Sequence, residues 1–234
     1  MNIVYSRLLI LNLLTPCLGS PFLNLDFQSP NIKAISNPQS GGVVRVHDAL
    51  PGWQLQIGNE FRQLMYYNNV CITCPSASLG GPENPVNGDA FGFTIKSGYY
   101  SPNFTMLATS IYQTGDVPIK AQSLQFVAGV DPNFESLHVS VGGQQLRFIQ
   151  LEKNAFYEYR YAADVSKWAG EAAELRFTIG PGAFDEGAAA SLAGIHFSPD
   201  PLPATPEPST WALLCTGLAA LIWNAPCCRS RPTT

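Results

Sequence analysis

Six stretches of this 234-residue chain alternate apolar and polar side chains with a period of two. That spacing constrains the fold more than any other feature. Successive strand side chains point to opposite sides, so alternation suits a strand with one face buried and one face wet, whereas a helix needs a period of 3.6. Leu23, Leu25 and Phe27 alternate with Asn24, Asp26 and Gln28, and Trp53, Leu55 and Ile57 with Gln54 and Gln56. Leu137, Val139 and Val141 alternate with Ser136, His138 and Ser140. Gly142-Gly143 follows as a two-residue turn with φ > 0 at both positions, and the chain is expected to return through Leu146 and Phe148. Tyr157, Tyr159 and Tyr161 share a face opposite Phe156, Glu158 and Arg160; Leu175, Phe177 and Ile179 oppose Glu174, Arg176 and Thr178; Ala193, Ile195 and Phe197 form the last strand.

The helical signals are weak. One short turn is expected from Asp164, as N-cap, to Trp168, stopped by Gly170. The pattern predicts an all-β fold, an antiparallel β-sandwich over residues 20–198, with Leu137, Val139, Leu175, Phe177, Ile195 and Phe197 inside. Aromatics at 11%, with 20 Gly and 19 Pro, suit short strands joined by turns. The segment CITCPSASLGGPENPVNGD, from Cys71 to Asp89, is dense in Gly, Pro, Asn and Ser and reads as one long loop. The net charge of −4 argues against nucleic acid, because no basic patch is available to displace phosphate counterions.

The two ends read as targeting segments. Arg7, the apolar run Leu8 to Leu14 and the small residues of Cys17-Leu18-Gly19 form a secretory signal pattern, residues 1–19, with cleavage expected after Gly19. Lipidation of Cys17 is disfavoured by Pro16 directly before it. The body then keeps two cysteines, Cys71 and Cys74. With no second CxxC and no nearby His pair, zinc is disfavoured, and a tight local disulfide in an oxidising compartment is expected; two half-buried free thiols are the alternative. Prolines 199, 201, 203, 206 and 208 make residues 199–210 an extended spacer. Residues 211–234 follow as a single transmembrane helix and basic tail. The uncharged run Trp211 to Ala225 would span about 22 Å as a helix, short of the ~30 Å hydrocarbon core. Arg229 and Arg231 mark its cytoplasmic end.

Pro206-Glu207-Pro208, then Ser209-Thr210, an apolar helix and terminal arginines resemble the PEP-CTERM sorting signal of exported bacterial proteins. The order of these parts at the C-terminal end carries the resemblance. It implies that a membrane-embedded exosortase recognises Pro206, Glu207 and Pro208. Trp211 to Ala225 would anchor the chain transiently in the inner membrane, and Arg229 and Arg231 would hold the tail inside. Processing would then release the protein to the cell surface or its polysaccharide matrix. DVSKWAGEAAELRFTIG (Asp164 to Gly180), LAGIHFSPDPLP after it, and SIYQTGDVPIKAQSLQFVAG (Ser110 to Gly129) are similar to strands of galactose-binding-like jelly-roll domains. Gly194 stands where those domains often carry an acidic residue. That resemblance implies a fold and leaves the ligand open.

The chain has no HExxH, GxSxG or phosphate-loop motif. His138 and His196 fall on polar strand faces, and His47-Asp48 reads as a loop pair. Glu171 with Glu174 flank a strand start. Asp185 and Glu186, in a Gly-rich loop, are weak candidates for a structural calcium. Tyr66, Tyr67, Tyr99 and Tyr100 are candidate sugar contacts, because one member of each pair must point away from the core; Trp53 and Trp168 sit in core phase. No catalytic residue and no cofactor is expected. The functional expectation is an exported, non-enzymatic cell-surface or matrix protein that binds carbohydrate weakly. The alternatives are a small secreted glycosidase-like hydrolase and a purely structural matrix component.

Overall fold

A computed structural model describes residues 19–31, 42–69, 71, 73–81, 91–100, 105–130, 136–153, 158–180 and 187–203. The chain divides into two units, Met1–Pro201 and Leu202–Thr234, and nearly all described residues belong to the first.

The described residues of that unit form sixteen short strands. In chain order they are β1 (Gly42–Arg45), β2 (Gln54–Ile57), β3 (Glu60–Arg62), β4 (Leu64–Tyr67), β5 (Ser76–Gly80), β6 (Gly92–Lys96), β7 (Gly98–Tyr100) and β8 (Thr105–Leu107). There follow β9 (Thr109–Asp116), β10 (Ser123–Val130), β11 (Leu137–Val141), β12 (Gln144–Gln145), β13 (Phe148–Lys153), β14 (Glu158–Asp164), β15 (Ala172–Ile179) and β16 (Ala189–Ser198). A one-turn helix, α1 (Val46–Ala49), follows β1, and a 3-10 turn at Ser166–Trp168 precedes β15. One sheet has eight strands in the order β1-β4-β5-β6-β16-β10-β14-β13, and a second has six in the order β12-β11-β15-β9-β2-β3. From β9 to β11, and again from β14 to β16, the chain alternates between the two sheets, as a jelly roll does.

A single apolar core draws on both sheets. Phe126 of β10 meets Phe177 of β15 edge-on, ring centroids 5.4 Å apart, and Tyr161 of β14 at 5.5 Å. Phe27 bridges Phe93, at 4.7 Å, and Trp53, at 5.5 Å. Leu137, Val139, Leu175, Phe177 and Ile195 are all buried, as the alternation requires. Phe197 is partly buried and packed against the core, its ring 5.2 Å from Phe22. The last strand keeps its inward phase only by a β-bulge. Gly194 sits at φ 57°, and the register slips so that Gly194 and Ile195 together face Phe126. Leu192 before the bulge and Ile195 after it are therefore both inside.

Other segments differ from the expectation. Leu23 to Gln28 is no strand, since Asn24 and Phe27 take left-handed φ of 48° and 62°. Gln113, an inward-facing amide of β9, needs partners and finds them in this strap. Its Oε1 accepts from the Leu23 N–H at 2.9 Å, and its Nε2 donates to the Leu23 carbonyl at 3.0 Å. Phe27 is buried, while Leu23 is 51% exposed. Gly142 and Gly143 make the expected turn, at φ 56° and 76°, but the return strand β12 lasts only two residues. Leu146 is buried and Phe148 opens β13 in the opposite sheet. The Asp164 carboxylate accepts from the Ser166 N–H at 2.8 Å, and Gly170, at φ 81°, ends the 3-10 turn.

The largest difference lies in the stretch from Cys71 to Asp89, which is not one long loop. Ser76–Gly80 form β5, inside the eight-stranded sheet. Ser76, Ala77, Ser78 and Leu79 are all buried. Small side chains let both faces be covered, and burial on both faces removes alternation. β5 runs antiparallel to β6 but parallel to β4, the one parallel pair among the described strands. The connection between β4 and β5, which holds Cys71 and Cys74, therefore returns the chain to run in the same direction.

Candidate functional site

The polar partners in the alternating strands gather on the outer face of the six-stranded sheet. β2, β9 and β15 lie side by side there, so Gln54 stands opposite Tyr112, and Tyr112 opposite Arg176. The Arg176 guanidinium stacks 3.9 Å above the Tyr112 ring. Its Nε and Nη2 donate to the two Glu174 oxygens at 2.7 and 3.2 Å, and its Nη1 donates to Gln56 Oε1 at 2.9 Å. The Tyr112 hydroxyl donates to Gln54 Oε1 at 3.0 Å. Burial pushes that hydroxyl above its usual range, with Arg176 opposing the shift. Ser110 and Thr178 share a hydroxyl hydrogen bond of 2.8 Å in the next row.

Phe61 of β3 pairs with Gln56 across the sheet edge. Its ring lies 6.3 Å from Tyr112 and is 69% exposed. The result is an open aromatic face beside planar guanidinium, carboxylate and amide groups whose geometry is fixed by their own hydrogen bonds. Such a surface can stack on an apolar sugar face and bond to hydroxyls without reorganising. The Glu174–Arg176 pair is itself partly exposed, so it contributes order here more than stability. An open groove of about 920 Å³ adjoins this face and shares Phe61 and Gln54 with it; Arg45, His47, Arg62 and Leu64 contribute to its other walls.

The sequence-derived candidates are scattered elsewhere. Tyr67 is 2% exposed and belongs to the core, which corrects its reading as a ligand contact. Alternation in β4 turns Tyr67 inward and leaves Tyr66 half-buried. Tyr66 lines a separate cavity of about 280 Å³ with Val43 and Leu64, its hydroxyl 3.9 Å from Cys74 Sγ. Tyr99 is half-buried, and its N–H donates to the Thr73 carbonyl at 3.0 Å. Tyr100 pairs with Thr105 through the backbone of β7. Cys71 and Cys74 are joined by a disulfide, Cα atoms 5.5 Å apart. β7 docks closely on that loop: a Cβ on Gly98 would lie 2.5 Å from the Thr73 carbonyl.

Trp53 and Trp168 are both buried. His138 and His196 are exposed. His47 and Asp48 approach to 3.1 Å, on α1 rather than on a loop. Asp185, Glu186, the spacer from residue 204, the apolar run and Arg229 and Arg231 lie outside the described residues. Among the described residues no helix is long and apolar enough to cross a membrane, and no group of three His, Cys, Asp or Glu could hold a metal.

Sequence reasoning missed Phe61, Tyr112, Arg176 and the two glutamines as a group. Gln54, Gln56 and Arg176 were visible only as the wet half of an alternation. The pairing of β2 with β9 and β9 with β15 is what assembles them.

A family profile described as the PEP-CTERM protein-sorting motif matches residues 204–224. The chain therefore carries a sorting motif that implies export and exosortase processing. No curated protein matches the sequence. Two solved structures are distantly similar. One is the enzymatically active domain of bacteriophage CBA120 tailspike protein 4, at 13% identity and a TM-score of 0.36, over 74% of this chain and 21% of that one. This chain thus spans about a fifth of the tailspike chain. The other is CBM27-1 of Caldicellulosiruptor saccharolyticus, in complex with mannohexaose, at 12% identity and a TM-score of 0.35, over 69% of this chain and 98% of that one.

Proposed function

We propose that this is an exported, non-enzymatic protein of the cell surface or extracellular matrix, whose β-sandwich holds polysaccharide weakly. The sorting motif at residues 204–224 carries the first half of that reading. In it, residues 1–19 are a signal peptide and residues 20–198 the sandwich. Residues 199–210 present Pro206, Glu207 and Pro208 to an exosortase, and residues 211–234 anchor the chain until processing. The outer face of the six-stranded sheet supports the second half. Its exposed Phe61 and its Arg176–Glu174–Gln56 array suit sugar rings and hydroxyls, and no nucleophile–base pair lies among them.

Fractionation tests the sorting. In a bacterial host lacking an exosortase, the parent chain is expected in the inner membrane. Leu218→Arg puts a charge near the centre of the short span, at about 2.5–3.5 kcal/mol on insertion scales, and should move the chain to the periplasm. Glu207→Gln leaves the span intact and should not. A parent chain already soluble in that host would remove the anchor and the sorting reading with it.

A further inference from the structure

The groove beside Phe61 differs in character from the flat face next to it. Its lining comes from the β1 edge of one sheet with β4 and α1, and from the β3 edge of the other sheet with β2. Three basic residues contribute to its walls, in a chain whose net charge is −4. Two of them are answered locally. Arg62 donates to Glu60 at 2.8 Å, and His47 lies 3.1 Å from Asp48. Arg45 is exposed and has no carboxylate partner among the described residues. Opposite it in the sheet stands Leu64, 55% exposed, and Phe61, 69% exposed, lines the same groove. Single exposed apolar residues are ordinary, but two of them around one unanswered guanidinium make a surface with both an apolar and an anionic preference.

We propose that this groove binds an acidic polysaccharide, with a uronate carboxylate on Arg45 and the apolar face of a sugar ring on Phe61. The inference rests on the polysaccharide reading above and specifies its ligand class. A guanidinium holds a carboxylate through two parallel N–H···O bonds, a fit that neither a hydroxyl nor a lysine ammonium reproduces. A uronate polymer offers one planar carboxylate per sugar together with apolar ring faces. A densely charged polyanion would instead meet Glu60, Asp48 and the negative field of the whole chain. Because Arg45 is exposed, the attraction is screened by salt.

Isothermal titration of the full chain in neutral detergent tests this, with polygalacturonate, neutral mannan and dextran sulfate as probes. Polygalacturonate should bind more tightly than mannan, and less so at high salt. Arg45→Ala should weaken polygalacturonate at least tenfold and leave mannan unchanged. Arg45→Lys should recover only part of the loss. Phe61→Ala should weaken both glycans. Lys120→Ala, which removes an exposed cation from the turn before β10, should change neither. Mannan binding equal to polygalacturonate, with Arg45→Ala silent, would overturn the acidic assignment and leave polysaccharide binding standing. Dextran sulfate binding as tightly as polygalacturonate would overturn it too, as general charge attraction. A parent chain that binds neither glycan would overturn both readings.

Discussion

β15 and β5 are both interior strands, yet the sequence announces one and hides the other. β15 keeps Ala173, Leu175, Phe177 and Ile179 in the core and turns Glu174, Arg176 and Thr178 outward. Water on one face forces alternation, and alternation is visible in the letters. β5 has no wet face. Ser76, Ala77, Ser78 and Leu79 are buried together, and Ser78 Oγ donates to the Asn69 carbonyl at 2.5 Å because it has no solvent to turn to. A strand covered on both sides by close neighbours is written in small residues. Its serines and glycines read as a loop.

The contrast can be broken most severely in the shared core. Phe177→Ala should cost about 3–5 kcal/mol in chemical denaturation, since it removes the ring that meets Phe126 across the sandwich. Leu79→Ala, at the fully buried position of β5, should fall in a similar range of about 2–5 kcal/mol if that strand is as internal as β15. Ser78→Leu sharpens the difference. An outward-facing position in a strand with one wet face would accept it, whereas here overpacking and a lost hydrogen bond should cost about 1–3 kcal/mol. A neutral result would mean that the outer face of β5 is open.

Replacing Cys71 and Cys74 together by serine opens a ring of four residues, for which loop entropy predicts about 2 kcal/mol. Hydrogen exchange should then quicken at the amides of β5 and remain unchanged in β15. Equal acceleration in both strands would make the bridge a global element instead of a local brace for the connection between parallel β4 and β5. Thr178→Ala is the mildest change. It deletes one hydroxyl hydrogen bond to Ser110 on a half-exposed face and should cost about 0.5–1.5 kcal/mol.

Exposure of one face or of none also decides how much of the fold the sequence displays. Trp53 to Ile57, Leu137 to Val141 and Leu175 to Ile179 were legible because each has a single wet side. The strap from Leu23 to Gln28 alternates just as well and is not a strand. Its place is set by the buried amide of Gln113, ninety residues away in sequence. Phe148 was legible as apolar but not as the start of a crossing into the other sheet. Of the candidate site, Gln54, Gln56 and Arg176 looked like ordinary solvent-facing partners. Phe61 and Arg62 sit in a strand of three residues, too short to show any period. Only strand pairing brings the aromatic ring, the guanidinium of Arg176 and the groove of Arg45 onto one side of the molecule.

The sorting account turns on one observable, the C-terminus of the mature protein. Intact mass spectrometry of material from the surface fraction of a host that encodes an exosortase should find a chain that ends near Pro208 to Thr210, without the run from Trp211 to Ala225. A surface-localised chain that still ends at Thr234 would contradict it.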